Sequence, residues 1–347
     1  LTVKDKYSMP NVEQMLELLS GKTMFSKIDL AQGYHQVRVH EEDIQKTAFR
    51  TIFGSYEWLV MGFGLSNAVP TFVRLMNNVL TDLLGVIYVV WIDDILVFST
   101  GTWEDHKRDC RKVLERLREH QLFGNYTKCE FGLTELEYVG FNITTGGITV
   151  TQEKVQAVNE WKPENMRTVY DVRSFIGMCS FYRKFIPNFA KIAAPLTALT
   201  KEKPDRASTT ALNKSPSKWG RRVQTQSIQQ EWTEQHTAAM EDLKARLTSA
   251  PVLIYADQDE PYVLMVDASQ YAIGAVLMQE REGGLRPVAY ISRQLNKAEQ
   301  NYPVHEQELL AIIWACQQWR HLLIGSEVTL HTDHDPLRHI FTQPTLS

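Results

Sequence analysis

Three acidic side chains stand in strand-like surroundings within the first hundred residues. Asp93 and Asp94 interrupt the apolar run from Val89 to Phe98, and Asp29 closes the short run that starts at Phe25. An adjacent carboxylate pair in such a run must be protonated, solvated at a turn or bound to a cation, because an unpaired buried charge is strongly disfavoured. The flanks are β-branched and aromatic, without the Gly, Asn or Pro of an ordinary turn. The pair therefore reads as the tip of a metal-binding hairpin. The alternatives are a plain surface turn for the pair and a helix N-cap for Asp29. Three carboxylates converging on a hard dication would give the oxygen-rich coordination that Mg²⁺ prefers, with Mn²⁺ as a substitute. Two such ions about 3.5–4 Å apart can activate a 3′-hydroxyl and stabilise a leaving pyrophosphate. Neighbouring strand residues point to opposite faces. Asp93 is thus expected to share the ions with Asp29, and Asp94 to contribute less directly.

A second acidic set lies near the other end. Asp267 and Asp333 each close a strand-like run, while Glu308 sits in the first turns of a helical pattern. One helical and two strand-end carboxylates can make another Mg²⁺ site, suited to attack by water on a phosphodiester. Taken alone, Glu308 reads as a solvated helix residue. His331 and His334 have neither a Cys partner nor an HExxH pattern, which argues against zinc.

The elements that must carry these acids follow from periodicity. Val12, Met15, Leu16 and Leu19 mark a helix ending near Gly21. Residues 36–39 and 47–60 read as extended, turning at Gly54-Ser55. A glycine-spaced loop, 61–66, leads into a helix with Phe72, Leu75, Met76, Val79, Leu80 and Leu83 inward. The hairpin follows, then an amphipathic helix over 104–121 and strands over 131–151. Residues 153–200 read as helical and basic, with interleaved aromatics. Residues 201–230 lack periodicity and read as a linker. Beyond it come a helix near 239–247, strands near 262–267, 273–279 and 287–292, a helix over 304–323 and a strand at 328–332. The fold class expected is mixed α/β (α+β) in more than one domain.

Composition narrows the classes. The 347 residues are 44% hydrophobic and 22% charged, with a formal net charge of −4. These are the values of a globular protein. Cys110, Cys129, Cys179 and Cys316 are widely spaced, which fits a reducing, intracellular compartment and not a cysteine-rich zinc site. The longest apolar run, Val86 to Ile92, is far too short to span a membrane, so no membrane partner is expected. The first residue is Leu1, and the stretch reads as an internal piece of a longer chain with no targeting segment.

One ordered series of motifs is specific. Phe25-x-x-x-Asp29-Leu-x-x-Gly33-Tyr34-His35-Gln36, Phe63-Gly64-Leu-x-Asn67-Ala68, Ile92-Asp93-Asp94-Ile95 and Tyr138-Val139-Gly140 together resemble the reverse transcriptase of gypsy-like LTR retrotransposons. The stretches 171–186 and 194–197 resemble that family's thumb and connecting region. Asp267-Ala-Ser, Glu308-Leu-Leu-Ala311 and Thr332-Asp333-His334 resemble its RNase H domain. The resemblance implies a right-hand polymerase with fingers and palm over 1–145 and a helical thumb and connection over 146–200. A basic polar linker over 201–231 and an RNase H-like domain over 232–347 would follow. The fingers and the RNase H-like domain are expected to be incomplete, the latter without a fourth acid and its neighbouring histidine.

By the same resemblance, Asp29, Asp93 and Asp94 would be polymerase metal ligands, and Asp267, Glu308 and Asp333 those of the RNase H-like site. Tyr34 would lie under the incoming sugar, with a packed core tyrosine as the alternative. Phe63 and Gly64 would line the nucleotide pocket, and residues 138–141 would grip the primer. The basic, aromatic helices over 154–191 would track the backbone of the duplex. The implied partners are an RNA template, a DNA primer, an RNA–DNA hybrid and dNTPs. Three positions depart from the family pattern: Trp91 stands for Tyr, Gly62 for Pro, and Val69 for Pro with Pro70 one place later. The competing reading is a catalytically impaired relic or a repurposed nucleic-acid-binding module.

Overall fold

Alternating apolar residues in four short segments build the first sheet. They are β1 (Met24–Asp29), β4 (Tyr88–Trp91), β5 (Asp94–Ser99) and β6 (Glu130–Leu133), in the spatial order β4-β5-β1-β6. All three pairings are antiparallel. The computed structural model describes residues 2–7, 11–201 and 227–332, and the chain divides into two compact units, 1–147 and 148–347. Residues 202–226 of the expected linker, together with Asp333 and His334, lie outside the described residues.

One face of the first sheet carries Ile28, Tyr88, Val90, Ile95 and Val97. These pack with Phe72, Met76, Val79, Val113 and Leu117 from α3 (Ala68–Val79) and α4 (Trp103–Glu119) into a core from which water is excluded. Burial of this kind contributes roughly 1.5–3 kcal/mol per large apolar side chain. Thr102 and Asp105 form a reciprocal capping box that starts α4. α1 (Val12–Glu17) buries Met15 and Leu16. Helix α3 begins at Ala68 even though the proline has moved to position 70. A proline in the first turn removes an N–H that would have no intrahelical partner there, so the displaced residue is accommodated. The helix ends at Val79, one turn short of the expected Leu83.

Between these elements, α2 (Glu41–Ile44) precedes a small hairpin of β2 (Phe49–Thr51) and β3 (Gly54–Tyr56). Only six of the residues expected to be extended over 47–60 are in strands. A second hairpin pairs β7 (Glu135–Tyr138) with β8 (Phe141–Thr144), and β9 (Gly147–Val150) follows. Its turn residues Val139 and Gly140 both have positive φ, 50° and 76°. Two left-handed residues in sequence match the twist of a two-residue hairpin.

The second unit begins with helices broken at Trp161-Lys162-Pro163 and Ile186-Pro187: α5 (Gln152–Asn159), α6 (Val169–Phe181), α7 (Phe189–Ile192) and α8 (Ala194–Leu199). The sequence pattern suggested a more continuous helical stretch; prolines, which cannot continue a helix, account for the breaks. A helix over Glu234–Thr248 leads to a sheet ordered β12-β11-β10-β13. Its strands are β10 (Tyr262–Ala268), β11 (Ala272–Arg281), β12 (Gly284–Gln294) and β13 (Val328–His331), with β10 and β13 parallel. The helix Val304–Gln318 packs on it through Ala311 and Ala315 against Tyr262, Leu264 and Leu277.

Candidate active site

The ladder between β1 and β5 aligns Asp29 opposite Asp94, and the ladder between β4 and β5 aligns Trp91 opposite Asp94. Residues opposite one another on adjacent strands share a sheet face. Asp29, Asp94 and Trp91 therefore form a row at one end of the sheet, on the face opposite Ile28 and Ile95. Asp93 lies in the two-residue turn with Ile92. The expected alternation, with Asp93 beside Asp29, presupposed that the strand ran through Asp93. The strand begins at Asp94, and this residue faces Asp29 in register.

Ile92 has φ of 57°, a left-handed conformation that a β-branched residue rarely adopts. The two neighbouring ladders and the bond from the Leu30 N–H to the Asp93 carbonyl (3.4 Å) hold the turn in place. On its other side Asp93 approaches Gly33. A Cβ at position 33 would stand 3.3 Å from the Asp93 Cβ and 3.0 Å from the Phe72 ring. A side chain at position 33 would thus have to displace Phe72 or Asp93 by a few tenths of an ångström.

Charge is crowded here. Burial raises the Asp94 carboxyl above its ordinary range, and the charges of Asp93 and Asp29 push the same way, while Lys27 pulls it down. Lys27 Nζ lies 3.5 Å from Asp94 Oδ1, and Lys128 Nζ lies 4.0 Å from Asp29 Oδ2. Among the described residues, no three His, Cys, Asp or Glu side chains close on one point able to enclose a metal ion. The donor chemistry nevertheless fits a hard dication. The ligands would all be carboxylate oxygens, and the charges of Asp93 and Asp29 already raise the proton affinity of Asp94.

The Tyr34 ring lies edge-on to Phe63 at 5.4 Å and tilted on Phe72 at 5.3 Å, and burial and Asp93 raise its phenol above the usual value. It is half-buried, a placement that fits a packed core tyrosine and a residue under the incoming sugar alike. Phe63 is 74% exposed. Gly64, with φ of 90°, has open space where a Cβ would be. A Cβ at position 62 would stand 3.5 Å from the Trp58 ring, an ordinary contact. Tyr138 is fully buried and its hydroxyl donates to the Asp94 carbonyl at 3.2 Å.

Sequence reasoning gave no positioning role to several residues around the acids. Gln36 donates to the carbonyls of Ala31 and Phe123 and accepts from the Phe123 N–H, tying the loop after β1 to the end of α4's connection. Beneath β1, His106 bridges Ser26 at 2.7 Å and Ser99 at 2.9 Å, and Ser99 donates to Asp109. Polar residues at inward positions of β1, β5 and α4 were the available signal. Lys27 had none, because a strand lysine is ordinarily solvated.

In the second unit, Asp267 lies exposed near the end of β10, and Glu308 is buried on the helix packed against that strand. The third acid of that expected set, Asp333, lies outside the described residues.

Residues 1–143 match the family described as reverse transcriptase (RNA-dependent DNA polymerase), and residues 232–330 match the RNase H-like domain found in reverse transcriptase. The chain carries a reverse transcriptase domain followed by an RNase H-like domain. It is 38% identical over 340 residues to the retrovirus-related Pol polyprotein from transposon opus of Drosophila melanogaster, across 97% of this chain and 32% of that protein. The corresponding polyprotein from transposon gypsy of the same organism is 38% identical over 338 residues, across 97% and 31%. The Tf2-3 transposon polyprotein of Schizosaccharomyces pombe is 35% identical, across 94% and 23%. The chain thus spans about a third or less of the length of these relatives. The fold of the foamy viral protease-reverse transcriptase dRH in complex with double-stranded DNA is also similar, with a TM-score of 0.78 at 23% identity, across 99% of this chain and 56% of that one. A second structure of that viral protein, with RNA/DNA hybrid, gives 0.74 at 24%, across 99% and 44%.

Proposed function

We propose that the reverse transcriptase domain extends a DNA primer on an RNA or DNA template, with dNTPs as substrates, in the service of retrotransposon replication. The register of Asp29 with Asp94 beside the Ile92-Asp93 turn carries this reading. Asp29, Asp93 and Asp94 would hold a pair of Mg²⁺ ions. Those ions would supply activation of the primer hydroxyl and charge stabilisation on the leaving pyrophosphate. Tyr34 forms the floor of the sugar site, and Phe63 and Gly64 line the open side where a nucleotide enters. Residues 138–141 place the primer end, and the helices over 154–191 follow the duplex by charge and stacking.

Asp267, Glu308 and Asp333 would serve the same kind of ion in the RNase H-like domain, where water attacks the RNA strand of a hybrid. In domain terms the proposal is fingers and palm over 1–145, thumb and connection over 146–200, linker over 201–231 and RNase H-like domain over 232–347. A non-catalytic nucleic-acid-binding module is the competing reading, and the Lys27–Asp94 pair favours it, since an ammonium already answers that carboxylate. Primer extension with and without Mg²⁺, on the chain and on Asp29→Asn, separates the two. Metal-dependent product abolished by the substitution is expected. Duplex binding without any product from the unsubstituted chain would leave only the module.

A further inference from the structure

Three residues lie in one row across the second sheet. Asp267 of β10 pairs with Gly274 of β11, and Gly274 pairs with Ser292 of β12. The turn that starts α7 lies over this row and bonds to both ends of it. The Asn188 side-chain amide donates to Asp267 Oδ2 at 3.1 Å, and the Ala190 N–H donates to Ser292 Oγ at 2.9 Å. The middle of the row is empty of side chain for a reason. A Cβ at position 274 would stand 2.5 Å from Asn188 Oδ1, so the glycine makes the slot that the asparagine fills. Asn188 itself has φ of 55°, which asparagine tolerates better than most residues.

We infer that Asn188 is a positioning residue for Asp267, so that the segment preceding the linker orients one acid of the RNase H-like domain. This rests on the reading of Asp267 as a metal ligand. A carboxylate on an exposed strand end is free to rotate. One amide donor on Oδ2 fixes its plane and leaves Oδ1 for a cation. Outer partners of this kind orient ligands, and their loss typically costs about 10–100-fold in metal affinity. The donor comes from a stretch outside 232–347, more than seventy positions earlier in sequence, and the sheet row Asp267–Gly274–Ser292 is shaped to receive it.

The test is Mn²⁺ binding by titration calorimetry on the full chain, in an Asp29→Asn, Asp93→Asn background that silences the other acidic site. Asn188→Gly keeps the left-handed backbone and removes only the amide. Gly274→Ala keeps the amide and displaces it. Each is expected to weaken Mn²⁺ binding about tenfold, with the thermal unfolding midpoint held. Loss of binding in Asp267→Asn alongside unchanged affinity in Asn188→Gly would overturn the inference and spare the site. Tighter binding in Asn188→Gly would also overturn it, by showing that the amide blocks the carboxylate. Unchanged affinity in Asp267→Asn would overturn the metal-ligand reading and the inference with it. Should Asn188→Gly fail to fold, Gly274→Ala decides by the same criteria.

Discussion

Asp29 and Asp94 stand opposite one another on β1 and β5, and the Tyr138 hydroxyl holds the carbonyl of the second from a separate hairpin. The side chains proposed to hold metal are therefore fixed by backbone pairing, and one of them also by a buried phenol. Substitutions that leave every acid in place should still disturb the chemistry.

Tyr138→Phe removes the hydroxyl and little else. A net hydrogen bond contributes about 1 kcal/mol, so a small drop in stability is expected. Single-nucleotide kinetics should show a lower maximal rate of extension with the nucleotide KM unchanged. A raised KM at full rate would instead place Tyr138 in nucleotide binding.

Gly33→Ala should be worse than its size suggests. The added methyl meets Phe72 and the Asp93 Cβ at 3.0 and 3.3 Å, so one of them must yield. Displacing a reacting group by about 1 Å can cost 10²-fold, and a loss of roughly ten- to hundredfold in extension rate is expected. Full activity in this variant would mean that Asp93 has freedom to move without cost.

Ile92→Gly separates strain from function. A left-handed L-residue costs roughly 1–2 kcal/mol, which glycine avoids. Urea denaturation should show stability held or raised while primer extension falls, because the turn loses its fixed conformation. Lower stability with undiminished extension would contradict this account of the turn.

His106 gives a pH dependence. Burial lowers its imidazole below the ordinary value of 6.5, with Asp109 pulling the other way. The unfolded chain then binds the proton before the folded one does. Stability is complete above the ordinary histidine range and is lost as pH falls through the lowered value. Urea midpoints of the chain should drop between about pH 7 and pH 5, and those of His106→Gln should drop less. Parallel curves would remove His106 from the acid response.

The acids and the elements bearing them were legible because strands and helices announce themselves by period. Asp29 ends an apolar run, Asp93-Asp94 interrupts one, and the inward stripe from Phe72 to Val79 is the α3 that packs beneath them. The register was not legible. Whether Asp93 or Asp94 faces Asp29 depends on where a two-residue turn begins, and Ile92 is a residue type that sequence rules exclude from that place. Nor was the Asn188 contact with Asp267 legible, since nothing local in either segment refers to the other. Gly274 was visible only as a glycine inside a strand pattern, and such a residue marks close approach without naming what approaches.

The pairing of β1 with β5 has a consequence for how this chain can vary. Six successive residue pairs, from Met24 with Ser99 to Asp29 with Asp94, act as a ruler between two carboxylates sixty-five positions apart in sequence order. A single residue inserted or deleted within either strand would carry its aspartate through the sheet to the apolar side. Point substitutions along those strands can be graded in their effect. Changes of length there cannot, and a copy of this sequence with one such change should be mute in polymerisation however well its motifs are preserved.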